Sequence, residues 1–143
     1  MAAKQTSGYA NNLLKLIFNG TAFANVADNA GSSPITNLSV ALHTASPGAT
    51  GSLTTSEATY TSYARVNVTR TSGGWTVTGN SVSPAATIVF PASTGGSETI
   101  TNWSVGIPST NTLLYYGSVS PSIVISGSGI TPELVTTSAI TEV

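Results

Sequence analysis

The chain has 143 residues, which suits one domain with a core large enough to need no disulfide staple. Only 6% of its residues are charged, against about 25% in an ordinary globular domain, and the net charge is −1. This balance excludes a charged surface for nucleic acid or anionic membranes, and the lack of cysteine excludes disulfides, thiolate metal sites and a cysteine nucleophile. No apolar run approaches the roughly 18 residues that a membrane-spanning helix needs.

One helix is predicted, over about residues 8–19. Apolar residues recur there at i, i+4 spacing, Ser7 is a suitable N-cap, and Gly20 is a natural C-terminal stop. About three turns would be marginal alone, so the apolar face is expected to pack on a sheet or on another subunit. We expect residues 1–20 to form an N-terminal arm and helix packed on the domain, and residues 21–143 to form a single β-sandwich domain.

Beyond the helix the apolar periodicity changes to two, which is typical of half-buried strands. Strands are predicted at residues 37–43, 63–69, 75–78, 86–90, 100–107, 113–119, 123–126 and 134–140. About eight short strands separated by Gly, Pro, Ser and Asn favour an all-β fold, an antiparallel β-sandwich or jelly-roll-like domain. Residues 70–74 are expected to close a hairpin between two of these strands. The longest irregular stretch, residues 44–60, is expected to be a surface excursion or an arm that orders against a partner.

Groups that could support catalysis are few. His43 is the only histidine and Asp28 the only aspartate, so a Ser-His-Asp triad would need both, and no serine lies in a G-x-S-x-G elbow. A lone histidine at a strand end is more often a packed or capping residue. Because zinc-type His and Cys clusters and phosphate-binding glycine loops are also lacking in the sequence, we predict no enzyme activity, metal or cofactor.

Aromatic residues provide a second kind of candidate site. Trp75, Trp103 and Tyr60 could stack on a sugar, and the alternative is that they fill the core of the sandwich. We expect these aromatic side chains to fill the core. If the structure exposed them as flat platforms on the surface, sugar binding would be favoured instead.

The few charged residues are candidates for contacts between subunits. Arg65 lies opposite in parity to the apolar face of its strand, so it should meet a carboxylate, carbonyls of a neighbouring chain, or solvent. In so uncharged a protein the strongest hydrogen-bonding groups are valuable at an interface. The candidate intersubunit contacts are Lys15, Glu57, Arg65 and Arg70.

Several sequence blocks occur in a recognisable order: YARV at residues 63–66, ITNW at 100–103 and LLYYG at 113–117. With the surrounding stretches, they resemble a group of small virion proteins of tailed bacteriophages and prophages, whose members are labelled tail fibre proteins. The resemblance spans nearly the whole chain. It implies a phage structural protein with a β-sandwich and no enzyme activity, and it provides no catalytic or ligand-binding residues to carry over.

Two functions follow as hypotheses. The leading one is a capsid decoration or cement protein that binds across major capsid subunits and stabilises the shell through many modest contacts. The alternative is a tail-fibre or tail-associated module that recognises host surface glycans. Both place the protein in the virion, with the major capsid protein or other virion subunits as partners and neither nucleic acid nor membrane. Because few charged residues guard the strand edges, a homo-oligomer, dimer or trimer, is also expected.

Overall fold

A computed structural model of the chain describes residues 7–23 and 34–142. The described part contains α1 (Ser7–Asn19), β1 (Asn37–His43), β2 (Val66–Thr69), β3 (Trp75–Thr78), β4 (Ser81–Pro84), β5 (Ile88–Val89), β6 (Thr94–Ile107), β7 (Thr112–Ser128), β8 (Glu133–Leu134) and β9 (Ile140–Thr141). One N-terminal helix followed by antiparallel sheets confirms the predicted all-β fold class. Asp28 lies outside the described residues.

The chain divides into two compact units, which are described separately. The first comprises Met1–Asn37, Val68–Thr87 and Leu134–Val143, and the second comprises Leu38–Asn67 and Ile88–Glu133. The first therefore holds α1, β3, β4 and β9, and the second holds nearly all of β1 together with β5, β6 and β7. The expected division into residues 1–20 and 21–143 stays a prediction.

The first unit is organised around α1 and the sheet β3-β4-β9. The helix begins at Ser7, and Gly20, with φ of +64°, ends it in the left-handed conformation that glycine adopts most easily. Its buried face is the i, i+4 row of Ala10, Leu14 and Phe18, as the apolar periodicity indicates.

The predicted hairpin through residues 70–74 is wrong. The chain does turn there, since the amides of Gly74 and Trp75 both donate to the Thr71 carbonyl. However, β3 pairs antiparallel with β4, with Trp75 opposite Pro84, whereas β2 belongs to another sheet. The true hairpin reverses at Gly79, whose φ is +59°. Strand β4 was not predicted, because it is short and serine-rich and ends in proline, which cannot donate to a ladder.

In the second unit β6 lies between β1 and β7. Leu42 of β1 is opposite Trp103 of β6, and Val40 is opposite Val105. Every residue of β1 after Asn37 is buried, so both faces of this strand are covered. Its predicted bounds are confirmed.

Residues 44–60 fold back on β1, so they are not a surface excursion. The Thr44 amide donates to the Ser56 carbonyl at 2.9 Å, and the Ala58 amide donates to the Leu42 carbonyl at 2.8 Å. Leu53, within this stretch, is fully buried. Small polar residues predict a loop correctly, but Leu53 and the backbone hydrogen bonds attach it to the sheet.

Several predicted strands have different bounds. The strands predicted at 113–119 and 123–126 are one continuous strand, β7. Its register on β6 shifts partway along: Ser118 lies opposite Asn102, but the next paired residue of β7, Ile123, lies opposite Ile100. That shift places residues 119–122 in a bulge, which includes the cis peptide Ser120–Pro121. The strand predicted at 134–140 is instead two short strands, β8 and β9, and the strands predicted at 63–69 and 86–90 shorten to β2 and β5.

Candidate functional site

A polar cluster in the second unit, here called the Arg65 cluster, consists of Glu57, Tyr63, Arg65 and Asn111. Arg65 Nε donates to Glu57 Oε1 at 2.6 Å and Nη2 donates to Oε2 at 2.8 Å, which makes a bidentate pair. Its Nη1 donates to Asn111 Oδ1 at 2.6 Å, and the Tyr63 hydroxyl donates to Glu57 Oε1 at 3.0 Å. The cluster therefore joins the segment after β1, the approach to β2 and the turn between β6 and β7.

The electrostatics of the Arg65 cluster favour one protonation pattern. The hydrogen bonds that Arg65 donates to Glu57 raise the pKa of Arg65, and burial raises the pKa of Tyr63 well above its usual range, so the phenol stays a neutral donor. The Arg65 and Glu57 side chains are only 21% and 16% exposed. Of the three partners expected for Arg65, the structure shows a carboxylate of its own chain.

Sequence reasoning missed Tyr63 and Asn111 as members of this cluster. Asn111 has a φ of +56°, a left-handed conformation that Asn tolerates, and its carbonyl accepts a hydrogen bond from the Leu53 amide. A turn asparagine between two strands is a local signal of this conformation. Its pairing with an arginine 46 residues away has no local signal.

Arg70 caps the C-terminus of α1 within the first unit. Its Nε donates to the Ile17 carbonyl at 2.7 Å, Nη2 to the Leu16 carbonyl at 2.7 Å, and Nη1 to the Ile35 carbonyl at 2.6 Å. The last carbonyls of a helix lack intrahelical partners and carry partial negative charge, so a guanidinium is well matched to them. Burial lowers the pKa of Arg70.

Replacing Arg70 with methionine is expected to lower the free energy of unfolding by about 2–3 kcal/mol, because three carbonyls lose charge-assisted hydrogen bonds. Arg70→Lys should recover only part of the loss, since an ammonium cannot match the planar fork of donors. Lys15→Met is the control for losing one positive charge on or near the same helix. Urea denaturation measures all three variants, and equal losses for Arg70→Met and Lys15→Met would contradict the capping role.

A small cavity adjoins this cap in the first unit. Its volume is about 220 Å³, below the roughly 300–1,000 Å³ of typical small-molecule pockets. Its lining comprises Asn19, Gly20, Pro34, Ile35, Thr36, Arg70 and Thr71. Each of the guanidinium nitrogens of Arg70 already donates to a carbonyl. The other polar side chains of the lining are those of Asn19, Thr36 and Thr71, and the buried Asn19 Oδ1 has no hydrogen-bond partner among residues 7–23 and 34–142.

His43 is enclosed in the second unit and fully buried. Its Nδ1 lies 2.8 Å from the Thr55 carbonyl, which can only accept, so Nδ1 carries the proton and the Ser104 hydroxyl donates to Nε2 at 2.7 Å. The pair resembles a nucleophile and its base, but Ser104 is also fully buried and the third partner is a carbonyl. This agrees with the packed histidine expected at a strand end.

Burial lowers the pKa of His43, with the Thr55 hydrogen bond opposing it. The folded state therefore binds this proton less tightly than the unfolded state, whose His pKa is about 6.5. The free energy of unfolding should be level above about pH 6.5 and fall below it, by up to about 1.4 kcal/mol per pH unit. Chemical denaturation between about pH 7.5 and 5 measures this slope. His43→Gln should flatten it, and an unchanged slope would contradict the account.

The three aromatic candidates are buried. Trp75 is 0% exposed, Trp103 is 6% exposed and Tyr60 is 3% exposed. The Trp103 indole lies against Gly117, where a Cβ atom would be 3.4 Å from Nε1, and the Tyr60 hydroxyl donates to the Pro91 carbonyl at 2.8 Å. The geometry thus favours the core interpretation over a sugar platform.

The remaining candidate charges are placed as follows. Lys15 is half-buried on α1, and Glu57 and Arg65 bind each other in the second unit. Glu98, which sequence reasoning did not single out as a site residue, accepts hydrogen bonds from the amides of Thr59 and Tyr60, each at 3.0 Å. The described partners of Glu57, Arg65 and Arg70 thus lie in their own chain, and their role as intersubunit contacts stays a prediction.

An exposed apolar surface occurs on β7, the edge strand of its sheet. Tyr116 and Val124 of this strand are 44% and 58% exposed, and none of the residues from Thr112 to Ser128 is charged. Thr112 forms an isolated bridge with Ser52. In the strand order β2-β1-β6-β7, β7 is the last strand and β6 is its neighbour.

Within residues 7–23 and 34–142, no group of three or more His, Asp or Glu residues is placed to hold a metal ion. In the same two ranges, no helix combines the length and apolar character needed to cross a membrane.

Comparison with known proteins gives one family. The sequence model of the family described as podophage GP4 fiber I protein gp80 matches residues 5–131, most of the 143-residue chain. A search of curated proteins finds no match. The family match agrees with the resemblance to phage virion proteins labelled tail fibre proteins. The chain therefore belongs to the podophage GP4 fiber I protein gp80 family, and is a phage structural protein of the fibre type.

Proposed function

We propose that this protein is a non-enzymatic subunit of a phage fibre, which acts by docking on other subunits of the virion. The single observation that carries the proposal is the family match over residues 5–131 to a fibre protein. The low charge of the chain supports it, because a subunit that docks on neighbours needs little charge for solubility.

The placement of the conspicuous side chains also supports a structural role. Arg70 caps a helix and Arg65 is paired with Glu57, so these groups serve the fold of their own chain. The rings of Trp75, Trp103 and Tyr60 are buried, so glycan recognition through them is not part of the proposal. Host recognition would need another surface.

Capsid decoration is the second candidate, and one observation favours it. A chain with only 6% charged residues can bury uncharged polar surface on a shell lattice at little electrostatic cost, and repeated weak contacts would then give firm attachment. The family match names a fibre instead, which is why the fibre role comes first.

Copy number separates the two candidates. Quantitative mass spectrometry of purified particles, with the major capsid protein and a tail protein of the same sample as internal references, would measure copies per virion. The fibre role predicts a ratio to the tail protein that is a small whole number. Copies comparable with the major capsid protein would favour decoration, and absence from purified particles would overturn both.

A further inference from the structure

The cavity beside the α1 cap holds a cation without an anion. Among the described residues that line it, Arg70 is the one charged side chain, and neither Asp nor Glu occurs. The described hydrogen bonds of its guanidinium all go to carbonyls, which are dipoles and carry no net charge. Arg65 is the contrast within the same chain, because its guanidinium is paired with the Glu57 carboxylate. The charge of Arg70 is therefore stabilised by the fold but not neutralised.

The pKa directions of the two arginines agree with this difference. The hydrogen bonds that Arg65 donates to Glu57 raise the pKa of Arg65, whereas burial lowers the pKa of Arg70. An anion beside Arg70 would oppose the effect of burial, because a nearby opposite charge favours the charged form of a group. This cavity thus gains from a negatively charged ligand.

Arg70 also has donors that the cap does not use. A guanidinium carries two N–H groups on each Nη and one on Nε. Each of these nitrogens has one described acceptor, so one N–H on Nη1 and one on Nη2 have no acceptor among residues 7–23 and 34–142. A carboxylate can accept two such hydrogen bonds at once, since it has two oxygens.

Two hydroxyl groups add to this donor set, those of Thr36 and Thr71. The Thr36 hydroxyl accepts a hydrogen bond from the Asn37 side chain, so its own proton is available to a ligand. The Thr71 hydroxyl lies 3.1 Å from that of Thr69, and either of the two can donate. Asn19 Oδ1 is buried, so this acceptor does not face the open cavity and does not repel an anion there.

We propose that this cavity binds a small monocarboxylate, with Arg70 as its charge partner and Thr36 and Thr71 as hydroxyl donors. Its volume of about 220 Å³ is several times the roughly 30 Å³ of one water molecule, which leaves room for a carboxylate with a few carbon atoms. A single negative charge matches the single charge of Arg70. A dianion would meet the partial negative charge of the helix C-terminus without a second cation in the lining.

Arginine side-chain NMR of the purified full chain tests the site, with acetate as the probe. The chain contains two arginines, so an isotope-labelled sample should give two Nε–H signals, and Arg65 serves as the internal control. Arg65→Lys removes one signal and so assigns the spectrum. Acetate that replaces chloride at constant pH and ionic strength should shift the Arg70 signal along a saturable curve, with a dissociation constant on the order of 1–10 mM. The Arg65 signal should stay in place.

Threonine variants test the hydroxyl donors. Thr71→Val should weaken acetate binding about fivefold or more, because a hydrogen bond to a charged ligand is lost. Thr110→Val is the matched control, since it also removes one hydroxyl from a pair of neighbouring threonines, and it should bind acetate like the wild type. If Thr71→Val moves the Arg70 signal before acetate is added, Thr36→Val replaces it.

Several results would overturn the proposal. These are the lack of a saturable shift, equal shifts of both arginine signals, and equal effects of Thr71→Val and Thr110→Val. Tighter binding of inorganic phosphate than of acetate would overturn the choice of a monocarboxylate. The inference goes beyond the fibre role, and because the test uses the purified chain, its failure would leave the particle analysis unaffected.

Discussion

Replacing Trp75 with alanine is expected to lower the free energy of unfolding by about 3–5 kcal/mol, the usual cost of removing a large buried aromatic side chain. Trp75 is fully buried and its ring makes an edge contact with Phe18 of α1, with centroids 4.8 Å apart. Alanine would leave a cavity between the helix and β3. Urea denaturation followed by circular dichroism measures the loss.

Trp75→Phe is the matched variant for this site. The buried indole Nε1 has no hydrogen-bond partner among residues 7–23 and 34–142, so phenylalanine keeps a ring and removes a polar atom that is costly to bury. We expect Trp75→Phe to cost well under half as much as Trp75→Ala. A loss below about 1 kcal/mol for the alanine variant would contradict the core role and restore Trp75 as a contact residue.

Breaking the Arg65 cluster is also expected to have a large effect. Arg65→Met leaves the largely buried Glu57 carboxylate without its cation and Asn111 without its donor, and should cost about 2–3 kcal/mol. The value lies below that of a fully buried pair because the two side chains keep 21% and 16% exposure, which allows solvent to screen part of the charge.

A double-mutant cycle with Glu57→Gln separates the pair from other effects of each substitution. The double variant should be less destabilised than the sum of the two single variants, by about 1–3 kcal/mol of coupling. Arg65→Lys serves as the control for geometry, because it keeps the charge but loses the bidentate fork. Strictly additive losses would mean that the cluster does not act as a unit.

The all-β fold with its N-terminal helix follows from the sequence, since periodicity reports local structure well. The bounds of β1 and β3 were predicted because apolar and polar residues alternate there in strands rich in Val, Leu and Trp. Strand β4, with two serines in four residues, has no comparable pattern. The continuity of β7 through residues 119–122 was hidden by Ser120 and Pro121, which resemble an ordinary loop.

The pairing of strands was less predictable than the strands themselves. The turn before Trp75 is real, yet the side chain of Arg70, just ahead of it, is fixed to α1 rather than to a hairpin partner. Local turn residues specify that the chain reverses, whereas β3 pairs with β4 across the later turn at Gly79, and its Trp75 packs against Phe18 of α1. That contact spans more than fifty residues of sequence, which no local pattern reports.

The polar partners of the candidate residues were unpredictable for the same reason. The parity of Arg65 indicates that it leaves the apolar layer, but Glu57 and Asn111 reach it only through the folded backbone. The family match confirms the predicted placement in the virion. Composition alone does not distinguish a fibre subunit from a capsid decoration protein, because a low charge suits docking on either a fibre or a shell.

The most direct test of the fibre role is immunogold labelling of intact phage particles with antibodies raised against the folded chain. The account predicts gold on the fibres, with none over the capsid shell, and the same antibodies absorbed with purified protein provide the control. Gold distributed over the capsid shell would contradict it.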